Sequence, residues 1–166
     1  MPTISYAITA CNEHVELERL LQQLAQNIRF EDEVVIQLDT TATPEVKHVV
    51  DSWPTMKRID FALNGDFASF KNNLKDHCTR DYIFFIDADE YLSDYMLRVL
   101  KQVLIANPDV DCFAVPRVNT VEGITQEHIQ KWGWRLDDKG RINWPDFQTR
   151  ICKKNKDIKW IGAVHE

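Results

Sequence analysis

The 166-residue chain lacks the features that place a protein in a membrane or on nucleic acid. No stretch approaches eighteen consecutive apolar residues, and the N-terminus has neither the charged start nor the apolar core of a signal peptide. A formal net charge of -6 argues against a nucleic-acid duplex as partner, because such a partner is held by a basic face. These absences predict a cytoplasmic protein without a transmembrane segment, and they leave a peripheral membrane contact open.

Cysteine pairs are also missing. The four cysteines are far apart in the chain and form no C-x-x-C motif, and they stand at positions 11, 78, 112 and 152. Three of them lie in or beside apolar runs, so buried and reduced thiols are expected. A zinc site is poorly supported.

Several well-known catalytic signatures are absent. There is no G-x-G-x-x-G after the first strand and no G-x-x-x-x-G-K-[ST], which argues against dinucleotide-dependent dehydrogenases and P-loop NTPases. The missing G-x-S-x-G excludes an α/β-hydrolase. An EF-hand that begins at Asp87 fails, because Leu92 replaces the loop glycine and Arg98 replaces the final glutamate.

Strand-like and helix-like segments alternate along the chain. With 44% hydrophobic and 28% charged residues, the composition is that of one ordinary globular domain over residues 1–166. Strands are expected at 4–10, 33–38, 58–63, 82–86, 111–118, 147–154 and 158–164. Helices are expected after a cap at Asn12, over 44–53, after Asp66, and from a cap at Ser93 to about 107, with Leu97, Leu100, Val103 and Leu104 directed inward. This order predicts an α/β fold with a mainly parallel sheet and helices on both faces.

Residues 119–146 interrupt this alternation. The segment holds three of the five glycines and three of the five tryptophans, Trp132, Trp134 and Trp144. A loop of this length in a compact domain is usually functional or disordered, and its aromatic content argues against disorder. We therefore expect a functional loop here.

Polar residues follow three of the expected strands. They occupy positions 9–13, position 39, and positions 87–90, where the sequence is D-A-D-E. Carboxyl ends of parallel strands share one edge, which is where open α/β sheets bind ligands. In extended chain Asp87 and Asp89 point the same way, and such a pair suits Mg²⁺ or Mn²⁺ sharing substrate phosphate oxygens. A plain surface turn after a core strand would use the same residues.

Four motifs carry a resemblance to a known family. D-F-A-x-x-K-N at 66–72 and D-Y-I-F-F-I-D-A-D-E at 81–90 resemble the central signature of family 2 glycosyltransferases, D-F-[SA]-x-x-R-N followed by G-D-[YW]-I-[LF]-x-[LI]-D-A-D-E. T-A-C-N-E at 9–13 is similar to the family's T-x-x-N-E turn. F-Q-T-R at 147–150 and W-x-G-x-V-H-E at 160–166 resemble a later segment of the branch that includes bacterial lipopolysaccharide and capsule sugar transferases.

The resemblance implies a GT-A fold, a Mn²⁺ or Mg²⁺ ion and a nucleotide-sugar donor, most simply UDP-linked. It further implies inverting transfer of the sugar to a hydroxyl on a glycan, lipid-linked or protein acceptor. The nucleotide-sugar-binding residues would be Thr9, Cys11, Glu13, Asp39, Asp66, Lys71, Asp87 and Ala88, with Asp39 accepting from a uracil-like ring. The metal ligands would be Asp87, Asp89 and His165.

The acceptor hydroxyl needs a carboxylate as general base. Candidates are Glu166, which we favour, Asp146 and Glu90. The tryptophans at 132, 134 and 144 either stack on acceptor sugars or pack their segment onto the core.

The chain departs from the family pattern in three places. Asp39 is followed by T-T-A-T-P and lacks the usual second carboxylate, and Lys71 replaces an arginine, which loses the planar fork of donors. Relatives usually continue beyond the V-H-E motif, so the chain is expected to be either a compact enzyme or a truncated domain.

Two other functions stay open. One is a non-catalytic nucleotide-sugar-binding module with a degenerate GT-A fold, although retention of both Asp87 and Asp89 favours catalysis. The other is a sugar nucleotidyltransferase, which is disfavoured because no glycine-rich turn follows the first strand.

Overall fold

The computed structural model describes residues 1–163. The chain forms two compact units, the first from Met1–Asp111 and the chain from Cys152, the second from Cys112–Ile151. The strands are β1 Ile4–Ala10, β2 Glu33–Asp39, β3 Lys57–Phe61, β4 Tyr82–Asp87, β5 Cys112–Asn119 and β6 Ile142–Lys153. The helices are α1 His14–Asn27, α2 Pro44–Asp51, α3 Phe67–His77, α4 Asp94–Ala106 and α5 Gln126–Trp132. The predicted α/β alternation is confirmed.

The sheet of the first unit is parallel at its centre. The strand order is β3-β2-β1-β4-β6-β5, and β6 begins in the second unit and ends in the first. β1 pairs in parallel with both β2 and β4, and β2 pairs in parallel with β3. The chain therefore adds β2 and β3 on one side of β1 and then places β4 on the other side, so the strand order reverses between β1 and β4.

Continuous apolar runs make β1, β2 and β4 fit a sheet that is covered on both faces. All but one residue of β1 and of β4 are buried. On one face, α3 packs its buried stripe onto these strands in a core cluster that consists of Ala7, Val35, Leu74, Cys78, Ile83, Phe85 and Cys152. Burial raises the pKa of the Cys78 thiol to about 12, with the nearby charge of Glu33 adding to the effect, so this thiol stays protonated. Of the cysteines, Cys78 and Cys152 are buried, Cys11 is half-buried and Cys112 is exposed.

The predicted helix start at Asp66 and the predicted cap at Ser93 are confirmed, and both side chains cap their helices. The Asp66 carboxylate accepts from Ser69 N at 3.0 Å, and Ser93 Oγ accepts from Met96 N at 3.1 Å. The predicted cap at Asn12 is wrong, because Glu13 is the N-cap residue of α1. Its longer side chain folds back onto the preceding loop instead of capping the helix.

The predicted inward face of α4 is partly wrong. Leu100 and Leu104 are buried, but Val103 is 41% exposed. Lys101 is buried instead, and its Nζ donates to Asp32 Oδ1 at 2.8 Å. Periodicity treats a lysine as solvent-facing, so it could not reveal an ion pair that turns this part of the helix inward.

The second unit contains regular structure where a loop was expected. α5 begins at a capping box in which Thr125 and His128 exchange hydrogen bonds, and it ends at Gly133 with a φ of 63°. β6 begins at Ile142, five residues before the predicted start. Short capped helices carry little apolar periodicity, which explains why sequence patterns missed this one.

No strand is found at 158–163, the part of the last predicted strand that lies within the described residues. The backbone of Trp160 bonds to the Asn72 side chain instead, with Trp160 N donating to Oδ1 at 2.9 Å and Nδ2 donating to Trp160 O at 2.8 Å. A side chain of α3 thus takes the place of a strand ladder. No helix among residues 1–163 has the length and apolar character needed to cross a bilayer.

Candidate functional site

The strand order reverses between β1 and β4, and open α/β sheets usually bind their ligands at the carboxyl ends of the strands at such a point. Thr9 and Asp87 are direct partners across the two strands. Thr9 Oγ1 donates to Asp87 Oδ1 at 3.2 Å, and Ala88 N donates to Thr9 O at 3.1 Å. We call residues 9–13, 39 and 87–90 the carboxyl edge. The predicted convergence of these three segments follows from the parallel pairing of β1 with β2 and β4.

The acidic segment at the end of β4 forms a tight turn. Glu90 N donates to Asp87 O at 2.9 Å, and Asp87 N donates to Glu90 Oε2 at 3.0 Å. β4 ends at Asp87, so the extended geometry assumed for Asp87 and Asp89 does not continue through both residues. Ala88 is buried and Asp89 is exposed, so the turn presents the Asp89 carboxylate to solvent beside the half-buried Asp87.

Asp39 ends β2 and is only 8% exposed. Its Oδ1 accepts from Thr41 N at 2.9 Å and Thr41 Oγ1 at 3.0 Å, and its Oδ2 accepts from Leu63 N at 3.3 Å. The backbone hydrogen bond from Thr41 is the main cause of a lowered pKa, which keeps Asp39 ionised and able to accept.

Glu13 shapes the loop that follows β1. Its Oε2 accepts from Cys11 N at 2.9 Å and from Asn12 N at 3.0 Å. Cys11 O in turn accepts from Thr43 N at 2.9 Å, which ties this loop to the loop after β2. Glu13 therefore contributes to the site by fixing backbone conformation.

Asp66 and Lys71 lie on α3. Hydrogen bonds from the Ser69 side chain and then from its backbone lower the pKa of Asp66, consistent with its role as the helix cap. Lys71 Nζ lies 4.8 Å from the centroid of the Trp160 ring. Sequence patterns did not single out Trp160 or Asn72, and the only available signal was their membership in the two family-like motifs.

The described part of the carboxyl edge supplies two carboxylates that a metal ion could use, those of Asp87 and Asp89. Within residues 1–163 no three His, Cys, Asp or Glu side chains are grouped as a metal site. The predicted third ligand, His165, and the predicted base, Glu166, lie outside the described residues. Two carboxylates nevertheless fit Mg²⁺ or Mn²⁺, which complete their coordination with water and substrate phosphate oxygens.

Asp146, the second candidate base, lies in the second unit and is held by its neighbours. It accepts from Asn119 Nδ2 at 2.9 Å, Gln148 Nε2 at 2.8 Å and Arg117 Nε at 3.0 Å. The hydrogen bonds from Asn119 and Gln148 are the main causes of a lowered pKa, which makes this carboxylate a weaker base.

The tryptophans of the second unit contact charged or aromatic neighbours. Trp132 is 50% exposed, and its ring centroid lies 5.1 Å from that of His128 and 4.7 Å from that of Trp134. The Arg141 guanidinium lies 4.1 Å from the centroid of Trp144. These contacts show aromatic packing within the unit.

The sequence profile described as Glycosyl transferase family 2 matches residues 5–156, which is most of the chain and includes all of the second unit. The chain belongs to this family. The resemblance of its motifs to family 2 is thereby confirmed at the level of the family.

Curated relatives include the SPbeta prophage-derived glycosyltransferase SunS of Bacillus subtilis (strain 168) and the glycosyltransferase SunS of Bacillus phage SPbeta. Each is 22% identical to this family 2 chain over 168 residues, which cover 99% of this chain and 34% of the relative. The chain thus spans about a third of the length of these relatives.

Solved structures of the same fold include S. aureus TarS, with a TM-score of 0.63 and 16% identity over 93% of this chain and 28% of TarS. TarS 1-349 in complex with UDP gives a TM-score of 0.60 and 17% identity over 75% of this chain and 38% of the other. The mannosyltransferase PcManGT from Pyrobaculum calidifontis, in complex with GDP-Man and Mn²⁺, gives a TM-score of 0.55 and 22% identity. The match covers 70% of this chain and 36% of PcManGT. These likenesses confirm the predicted GT-A type of α/β fold.

Proposed function

We propose that this family 2 chain transfers a sugar from a UDP-linked donor to an acceptor hydroxyl, with inversion at the sugar and with Mn²⁺ or Mg²⁺. The observation that carries the proposal is the meeting of Thr9 and Asp87 at the strand-order reversal, with Asp89 exposed beside them. The acceptor would be a glycan, a lipid-linked sugar or a protein. A cytoplasmic location remains a prediction, which cell fractionation tests.

The donor nucleotide would lie along the carboxyl edge. Thr9, Cys11 and Glu13 would line its pocket, and the ionised Asp39 would accept from the ring N–H of uracil. Among its described contacts, Asp39 Oδ2 accepts one long bond, from Leu63, so it retains capacity for another donor. The UDP complex of TarS, a protein of the same fold, supports a uridine donor.

Asp87 and Asp89, together with His165, would hold the metal ion. Bound there, the ion would supply Lewis-acid stabilisation of the leaving diphosphate, an effect worth about several kcal/mol. The chain's own contribution is orientation: Thr9 Oγ1 and the turn to Glu90 fix Asp87 from two sides. Lys71 would add a positive charge near the diphosphate, Asp66 would start the helix that carries Lys71, and Ala88 would keep the turn compact beneath the donor.

A carboxylate must also remove the proton of the acceptor hydroxyl, which typically contributes about 10²- to 10⁴-fold in rate. We propose Glu166 for this role and keep Asp146 as the alternative. The pKa of Asp146 is lowered, first by the hydrogen bond from Asn119, which makes Asp146 the weaker base and the less favoured candidate. Glu90 is less suitable because its carboxylate already accepts from Asp87 N.

Release of nucleoside diphosphate from a panel of UDP- and GDP-sugars, with and without Mn²⁺, tests the proposal. We expect metal-dependent release, which is lost in the Glu166→Gln variant while UDP still binds. Metal-dependent UDP binding with no turnover of any donor would instead indicate a non-catalytic binding module. Absence of binding to UDP, GDP and every donor would refute the proposal.

A further inference from the structure

The segment at 158–163 is attached to α3 by hydrogen bonds that the proposed chemistry does not use. Asn72 bonds to both backbone polar groups of Trp160, at 2.9 and 2.8 Å. Phe67 N, in the first turn of α3, donates to Ala163 O at 3.0 Å. The two points of attachment, at Trp160 and Ala163, are three residues apart and fix the course of this segment along the helix.

These attachments place the indole of Trp160 between the core and Lys71. The Trp160 ring meets Phe85 of β4 edge-on, with centroids 5.3 Å apart and an interplanar angle of 86°. Lys71 Nζ lies 4.8 Å from the same ring's centroid, within the range of a cation–π contact. The contact with Phe85 of β4 holds the ring against the sheet, so its position does not depend on the lysine.

We propose that Trp160 is a positioning residue of the donor site, which places the Lys71 ammonium for the donor diphosphate, and that Asn72 holds Trp160 for this task. The inference rests on the proposed function. A lysine has a flexible four-carbon stem, so restricting it before the ligand arrives reduces the entropy lost on binding. An indole carries no formal charge, so it holds the ammonium without neutralising the charge that attracts the diphosphate.

The two contacts can be broken separately. Asn72 bonds to the backbone of Trp160, so Trp160→Leu removes the ring and retains both hydrogen bonds. Trp160→Phe keeps a smaller ring against Phe85 and Lys71, and it serves where the leucine variant folds poorly. Asn72→Ala removes both hydrogen bonds and retains the indole.

A double-mutant cycle with UDP and Mn²⁺, measured by calorimetry on the 166-residue chain, tests whether Trp160 acts through Lys71. We expect Trp160→Leu to weaken UDP binding roughly 3- to 30-fold, the range of a cation–π contact from exposed to desolvated. In the Lys71→Ala background, the same substitution should change affinity by less than about 2-fold. The UDP affinity of Trp160→Phe should lie between those of wild type and Trp160→Leu. Asn72→Ala should also bind UDP more weakly than wild type. A general loss of packing would weaken binding equally in both backgrounds.

Asn73→Ala is the matched control on the same helix. The Asn73 side chain bonds to β2 instead of Trp160, with Nδ2 donating to Gln37 Oε1 at 2.6 Å. The variant should therefore lower the melting temperature and leave UDP affinity unchanged.

Equal losses in the two backgrounds, or no loss in either, would overturn the inference. If wild type binds UDP and Lys71→Ala binds it equally well, the inference fails while the proposed function stands. If wild type binds neither UDP nor GDP, the proposed function itself fails and the inference falls with it.

Discussion

The two edges of the parallel sheet carry acidic residues in different surroundings. We call the edge at which β1, β2 and β4 begin, with Asp32, Glu33 and Asp81, the amino edge. At the amino edge, Asp32 Oδ1 accepts from Ile4 N at 2.9 Å and Lys101 Nζ at 2.8 Å, while its Oδ2 accepts from Arg29 N at 3.1 Å. Asp81 likewise accepts from both the backbone and the hydroxyl of Thr3, each at 2.9 Å. These carboxylates connect β1 to the starts of its two neighbours.

At the carboxyl edge the acidic residues are arranged differently. Asp89 is exposed, and Asp87 is half-buried with its carboxylate bonded to Thr9. The comparison teaches that partners and exposure, more than residue type, separate a carboxylate that stabilises the fold from one that is available to a ligand. Substitutions at the two edges should therefore affect different measurements.

The largest effect is expected from Asp32→Ala at the amino edge. The Asp32 side chain has 0% exposure and that of Lys101 has 11%, so the variant leaves a buried ammonium without its main partner. The free energy of unfolding should fall by about 3–5 kcal/mol, measured by urea denaturation. Glu31→Ala is the control, because this exposed residue lies 3.4 Å from the same ammonium and should change stability little. Similar losses in both variants would contradict the comparison.

Asp89→Ala, at the carboxyl edge, should weaken ligand binding and leave stability unchanged. We expect Mn²⁺-dependent UDP affinity to fall by about 100-fold or more, which corresponds to about 2.7 kcal/mol, with thermal unfolding unchanged. Asp81→Ala, at the amino edge, should lower the melting temperature and leave UDP affinity as in wild type. Undiminished UDP binding by the Asp89 variant would show that the metal ion is not bound at the carboxyl edge.

Asp39→Asn tests a carboxylate that combines the features of both edges. Asp39 is bonded to neighbouring residues, like the acids of the amino edge, and it is also predicted to bind the nucleotide base. Replacing one carboxylate oxygen by an amide donor should weaken UDP binding about 10-fold, or about 1.4 kcal/mol. Inorganic pyrophosphate lacks the base, so its Mn²⁺-dependent affinity should not change. Equal weakening of both ligands would show that Asp39 acts on the phosphates or on the fold, and not on the base.

The smallest effect concerns pH and Glu33 at the amino edge. Burial alone would raise its pKa, but hydrogen bonds from Ser5 and then Thr79 outweigh burial and lower it below the ordinary 4.5. A lowered folded-state pKa contributes stability above the unfolded-state pKa and loses it as pH falls through the folded-state pKa. At pH 7 the free energy of unfolding of Glu33→Gln, measured by urea denaturation, should therefore be lower than that of wild type by about 1 kcal/mol or less. This difference should shrink towards pH 3. A difference that grows on acidification would refute this.

The sequence predicted the parts of the molecule that depend on local pattern. The apolar runs of β1, β2 and β4, the helix start at Asp66 and the cap at Ser93 follow from residue type and spacing alone. Because parallel strands end at one edge, the meeting of Thr9 with Asp87 also followed. The site roles of these residues remain predictions.

Other features depend on contacts between distant residues, which spacing does not encode. Lys101 is buried because Asp32, sixty-nine residues earlier, is its partner, and Val103 is exposed as a result. Trp160 has no strand partner because Asn72, eighty-eight residues earlier, takes its backbone bonds. Each of these required a pairing across elements that only the folded chain specifies.

Hydrogen bonds donated by backbone amides join the loops at the carboxyl ends of β1 to β4. Thr43 N donates to Cys11 O, Ala88 N donates to Thr9 O, and Leu63 N donates to the Asp39 carboxylate. Opening any one loop breaks a bond that belongs to its neighbour, so the amide protons of Thr43, Ala88 and Leu63 should exchange with solvent as one cooperative group. A ligand that orders one of these loops would then slow exchange in segments that it never touches.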